Sequence, residues 1–197
     1  MIITPKGVAL PSVGWGFDCL GSSVQHLLNT KPTAIWPYVT GSGGIAWTPE
    51  EIDIFRRRGT EVILVNQGYG QGPSSALDGD EFDYEAGAWT VPGLLQVVAA
   101  RRRVSWSTRI YCTWTAYGVV KQALAEAGTG GSVFFRIADW NIDQHVADLE
   151  LHADVYAGQW ASPTTNPATL VPGTSLTLAE AAADLSVLLH TSTGWIG

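Results

Sequence analysis

Positive charge is in short supply in this chain. Its 197 residues hold 11 Lys and Arg against 18 Asp and Glu, a net charge of -7. That balance excludes a nucleic-acid footprint, which needs a basic face. The one basic run, Arg101-Arg102-Arg103, falls where a helix should end and there complements the helix dipole. Cysteine is scarce too: Cys19 and Cys112 offer neither a disulfide framework nor a metal spacing, and both read as reduced, buried residues near strand ends. No stretch approaches the roughly 18 apolar residues of a membrane span. The opening "MIITPKGVALPS" has no apolar run of secretory length. No membrane partner and no export signal of the chain's own are expected.

Other familiar constellations are missing as well. "GYGQG" at 68–72 follows a strand, but no helix begins after it, so the dinucleotide fingerprint is not met. His145 and His152, with Asp143, Asp148 and Asp154, have no cysteine or third histidine nearby and read as a solvated helix face. His26 and His190 stand alone, and there is no Gly-x-Ser-x-Gly elbow. Neither a metal nor another cofactor is expected.

What the chain does have is apolar surface. Hydrophobic residues make up 46% and charged residues 15%, the balance of a globular core. The length fits one domain over residues 1–197. Nine tryptophans exceed what a core of this size requires. An apolar ring with a polar handle suits core packing and also walls that stack on sugar rings.

Short β-type runs alternate with helix-type runs. Strands are predicted at 13–18, 34–39, 61–66, 81–85, 109–114, 133–140, 153–160 and 184–189. "TPEEIDIFRRRG" carries Thr48 as N-cap, Pro49 at the first helical position, Glu51 closing a capping box and Gly59 as the stop. Helices are predicted after Thr90 and Thr115 and over "NIDQHVADLELH". A second capping box, Thr177 to Glu180, leaves 184–189 open between strand and continued helix. The order predicts a parallel α/β architecture, best counted as a small (β/α)8 TIM-barrel-like domain. Residues 67–80 lack a helical period, so an outer helix is expected to be missing between strands 3 and 4.

In such a barrel the C-terminal strand ends form the face that carries chemistry. The predicted strands end on Asp18, Asn66 with Gln67, Asp83 with Glu85, Trp114, Asp139 with Trp140, and Gln159 with Trp160. Asp83 and Glu85 stand two apart, so on a strand they share a face with Cα atoms about 6.7 Å apart. Their carboxyl groups can then sit roughly 5–7 Å apart, reaching the retaining-glycosidase separation of about 5–5.5 Å and the edge of the inverting range. Two nearby carboxylates cannot ionise equally, and the member that keeps its proton can act as a general acid. An acidic loop explains the same spacing.

"GFD" on the first strand, the "TPEEID" helix, "FDYEAGAWT", "RIYCTW", "IADW" and "AGQWASP" follow in that order over residues 13–190. The series resembles the family 25 glycoside hydrolases, the N-acetylmuramidase lysozymes, and especially divergent domains of actinobacterial phage tail and lysin proteins. The resemblance implies peptidoglycan as the glycan partner, with Glu85 as general acid and Asp83 as the group that stabilises positive charge or orients the substrate. It implies that Asp18 and Asp184 complete the catalytic floor. Tyr111, Asp139, Trp140, Gln159 and Trp160 would bind the sugar. It also implies a cell-wall or virion setting. Tyr84 departs from the small aliphatic residue usual between the two acids. A non-catalytic glycan-binding or phage tail module, with other tail proteins as partners, is the alternative function.

Overall fold

The computed structural model describes residues 14–39, 45–68, 78–85, 89–140, 149 and 152–189, with the backbone of 2–3 and 9–10. Those two short segments, β1 (Ile2–Ile3) and β2 (Ala9–Leu10), pair antiparallel by themselves. The body is a mixed α/β fold around one sheet. Its strands are β3 (Gly14–Cys19), β4 (Ala34–Ile35), β5 (Glu61–Val62), β6 (Val65–Asn66), β7 (Glu81–Tyr84), β8 (Thr108–Thr113), β9 (Val133–Ala138), β10 (Val155–Ala161) and β11 (Ala183–Leu188). They lie in the order β5-β4-β3-β11-β10-β9-β8-β7-β6.

The first and last strands of that order are neighbours in the chain. On one side of this run, Ile63 N–H donates to Ile35 O at 3.0 Å and Val65 N–H to Pro37 O at 2.9 Å. On its other side Val65 and Asn66 pair with Glu81 and Phe82. The sheet therefore curls until both of its edges rest on residues 61–66.

The pairing departs from a regular (β/α)8 pattern at one strand. β11 runs antiparallel to both β10 and β3, while the other pairs in the sheet are parallel. A parallel return needs a long crossover, usually a helix. The segment before β11 offers only α4 (Leu178–Ala181). Its Thr177–Glu180 capping box forms in full, yet Ala182 turns left-handed at φ 48° and ends it. Residues 183–188 are therefore strand, which resolves the alternative left open by the sequence.

The other helices follow their signals closely. α1 (Pro49–Arg56) has the predicted box between Thr48 and Glu51, and α2 (Val91–Arg103) is capped by Thr90. α3 (Trp114–Glu126) is capped by Thr113, two residues earlier than expected, because β8 passes straight into it. Arg101 does more than face a helix end. It is buried, donates to Ser107 O and Gly79 O, and stacks on Phe82 and Trp106. Most of the predicted 141–152 helix, with His145, and positions 69–77 of the predicted gap at 67–80 lie outside the described residues.

Side-chain alternation along the strands separates two faces. Phe17, Phe82, Ile110, Phe135 and Leu185 point to one of them, where Phe55 of α1, Leu94 and Val97 of α2 and Val120 and Leu124 of α3 cover them. The opposite face brings together Trp36, Ile63, Val65, Tyr156 and Leu188. On that face side chains from strands three places apart meet directly: Tyr156 reaches Glu81, and Arg136 reaches Asp18. Only curvature toward that side allows such contacts, so it is the concave face.

Candidate functional site

The concave face is built in levels. Arg109 and Glu61 form an ion pair at 3.2 Å, with the Arg109 guanidinium against the Tyr156 ring. Arg136 and Glu81, each fully buried, pair at 2.9 Å. Glu81 also accepts from the Tyr156 hydroxyl, which accepts from Trp36 Nε1 at 2.9 Å. Near the ends of β3, β7 and β10 come Asp18, Asp83 and Gln159. Asp184 joins them because β11 runs backward: its first residues lie beside the last ones of β3, with Asp184 opposite Asp18.

Of the predicted strand-end groups, Asp18, Asp83 and Gln159 lie together at this end, and Asp184 and Tyr111 stand beside them. Asp18 accepts from Tyr38 at 3.3 Å and Gln159 Nε2 at 3.2 Å, and it pairs with Arg136 at 3.3 Å. Gln159 donates to Asp184 as well, at 2.9 Å, and accepts from the Tyr111 hydroxyl. One amide group therefore bridges two carboxyls that face each other across a strand pair. Left unbridged, two like charges there would repel.

The stretch "EFDYE" keeps strict period-2 order. Glu81 and Asp83 are buried on the concave side, Phe82 packs in the convex core and Tyr84 packs against it. Glu85, one residue past β7, is exposed. Tyr84 therefore points away from the acids and does not separate them in space. Asp83 is the more confined acid. Its Oδ2 meets Gln67 Nε2 at 3.5 Å, and its Oδ1 is buried without a hydrogen-bond partner. Burial, and next the charge of Glu85, push its pKa up to about 7. Burial and the neighbouring Asp18 push Asp184 up to about 8. Burial thus carries the protonated forms of two carboxyls at this end of the sheet up toward neutral pH, one of them two residues from an exposed acid.

The predicted sugar-binding residues separate. Trp140, just past β9, is 41% exposed. Asp139 is buried, with its N–H donating to Gln159 O at 2.9 Å. Tyr111 and Gln159 are buried supports, and not exposed walls. Trp160 is a correction: it is 4% exposed and packs in the convex core with Val155 and Ala161. β10 is irregular between Gln159 and Ala161, and there Gln159 stays on the concave side while Trp160 turns into the convex core. Trp36 and Trp47 are likewise buried. Cys19 and Cys112 are free, buried thiols whose pKa burial drives upward.

Sequence reasoning passed over Glu81, Arg136, Tyr38 and Tyr156. The available signal was a lone arginine inside the apolar run "VFFRIADW" and a third acid two places before Asp83. Among the described residues, no group of three or more His, Cys, Asp or Glu side chains is arranged to hold a metal, and no helix is long and apolar enough to cross a membrane.

No family model matches the chain, and no curated protein is similar to it. Among solved structures, the fold is similar to that of the bacterial lysozyme from Streptomyces coelicolor, with a TM-score of 0.53 and 11% identity over 92% of this chain and 94% of that one.

Proposed function

We propose that the chain cleaves the β-1,4 glycosidic bond next to N-acetylmuramic acid in peptidoglycan, with Glu85 as the general acid and Asp83 as its partner. The observation that carries this is the unequal environment of two acids at the end of β7: Asp83, within the strand, is buried and pushed up to about 7, while Glu85, just past it, is exposed. Glycoside hydrolysis needs one carboxyl that delivers a proton and a second that supports charge at the anomeric carbon. Burial favours the protonated form of Asp83 in the free chain. Asp18 and Asp184 close the same end of the concave face, and exposed Trp140 is suited to stack on a sugar ring. The lysozyme-like fold favours peptidoglycan over other glycans and supports the reading of the curled sheet as a divergent (β/α)8-type barrel.

A second reading, glycan binding without cleavage as in a phage tail module, draws on the engagement of Asp18. This side chain is 2% exposed and held by Tyr38, Gln159 and Arg136. The test is release of reducing ends from purified peptidoglycan by the parent chain, Glu85→Gln and Asp83→Asn. Cleavage by the parent and a loss of about a hundredfold or more in Glu85→Gln fit general-acid catalysis. Wall binding by all three with no reducing ends from any would replace hydrolysis by the binding module.

A further inference from the structure

We infer that Arg136 is the positioning residue of this site: it ties β3 to β7 through Asp18 and Glu81 and fixes the floor on which Asp83 and Asp184 stand, without pairing with either. The kinetic part of this inference rests on the glycosidase reading; the geometric part does not.

The guanidinium is sealed from water and hydrogen-bonded through Nε, while Nη1 and Nη2 stand at ion-pair distance from carboxylates without a hydrogen bond of their own. Arg136 Nη2 lies 2.9 Å from Glu81 Oε1, its Nε donates to the same oxygen at 3.0 Å, and Nη1 lies 3.3 Å from Asp18 Oδ1. Its Cζ is 4.3 Å from the Tyr111 ring centroid and 4.7 Å from that of Trp36. A dry cation survives only when paired, and arginine meets this geometry because its planar fork can bond and stack at once. Strand register puts Asp83 beside Tyr111, and Tyr111 beside Arg136. The cation and the candidate catalytic acid therefore occupy one row of the sheet, two strands apart.

The ionisable groups around Arg136 are Asp18 on β3 with Tyr38 beyond β4, Glu81 and Asp83 on β7, and Tyr111 on β8. Tyr156 on β10 faces it too, with Arg109 beyond, and Asp184 on β11 and Glu85 complete the set. Among the described residues, Arg136 makes its ion pairs with Asp18 and Glu81 alone. Asp83 and Asp184 feel its charge at longer range, which favours their ionised forms against burial. Removing that charge should move both acids toward higher midpoints while their own contacts stay intact.

The test uses the full chain with 13C-labelled aspartate carboxyls, titrated by NMR, alongside reducing-end release across pH. Arg136→Gln is expected to raise the midpoints of Asp83 and Asp184. It should lower kcat by about tenfold or more with KM held within about twofold, the pattern of a lost transition-state contribution. Arg136→Lys, which keeps the charge, should hold the midpoints near those of the parent and recover part of kcat. If Arg136→Gln does not fold, the pair Glu81→Gln with Arg136→Gln removes both charges. It is then read at Asp184, whose largest charge influences are Asp18 and Glu85, which raise it, and Arg136, which lowers it. Unmoved midpoints in a folded neutral variant overturn the inference. A parent inactive on every wall sinks the glycosidase reading instead, and the titration still judges Arg136.

Discussion

The convex and concave faces of the sheet are made by the same strands, residue by alternate residue, yet they are held by different forces. On the convex side Phe17, Phe82, Ile110 and Phe135 meet helix residues such as Phe55, Leu94 and Leu124, and all are at most 1% exposed. Burial there is non-directional and roughly proportional to area. On the concave side Arg136 and Glu81 are equally dry, but each is tolerated only through a named partner. The comparison teaches that equal burial does not mean equal robustness. An apolar layer loses energy in proportion to what is removed, whereas an ionic layer fails when one member is left alone.

The largest expected effect tests the convex side. Phe135→Ala, which empties a fully packed position, should lower stability by about 3–5 kcal/mol in chemical denaturation. The expected companion on the concave side is Glu81→Gln, at about 3 kcal/mol, because it leaves the buried Arg136 charge with Asp18 as its remaining ion-pair partner. The sharper test is the cycle. Adding Arg136→Met to Glu81→Gln should cost less than the sum of the singles. Pairing Phe135→Ala with Leu94→Ala gives the reference for two positions within the apolar layer. Additive losses on the concave side would break the comparison.

A smaller effect separates the faces by pH. Asp83 and Asp184 have folded pKa values raised from 3.8 to about 7 and about 8. The folded state therefore binds more protons than the unfolded chain between those limits, and the contribution of these groups falls as pH rises. It is fully present below about pH 4 and lost by about pH 8, with an amplitude on the order of a few kcal/mol. Asp83→Asn and Asp184→Asn should each flatten the fall in denaturation midpoint over this range, while Phe135→Ala shifts the curve without changing its slope. An unchanged slope in both asparagine variants would place the titration elsewhere.

The same contrast explains what the sequence disclosed. Apolar runs and caps are local signals, so the strand predicted at 133–140, found as Val133–Ala138, and the Thr48 and Thr177 boxes could be read directly, whereas 61–66 splits into two short strands. The acid pair was legible for the same reason, since period 2 is local. The concave network was not: Arg136 finds Glu81 55 residues away, and Tyr111 finds Gln159 48 residues away, distances that no window of periodicity spans. Trp160 was misplaced because the irregularity of β10 between Gln159 and Ala161 has no local mark in the sequence. The direction of β11 escaped because an exposed alanine carries no mark of positive φ.

That alanine supplies the smallest prediction. Ala182, at φ 48° and ψ 46°, ends α4 and starts β11, so one residue sets both Asp184 on the concave face and Leu185 on the convex one. A left-handed conformation costs an L-residue about 1–2 kcal/mol, which glycine avoids at some expense in unfolded-chain entropy. Ala182→Gly is therefore expected to raise stability by roughly 0.5–1 kcal/mol. Ala182→Val should lower it, since branching at Cβ makes positive φ worse. Because the substitution touches neither layer, both variants should keep the parent's dependence of stability on pH. If Ala182→Gly changed that slope, the turn would be setting the carboxyl environment through the position of Asp184, and the two faces would be coupled at their shared strand.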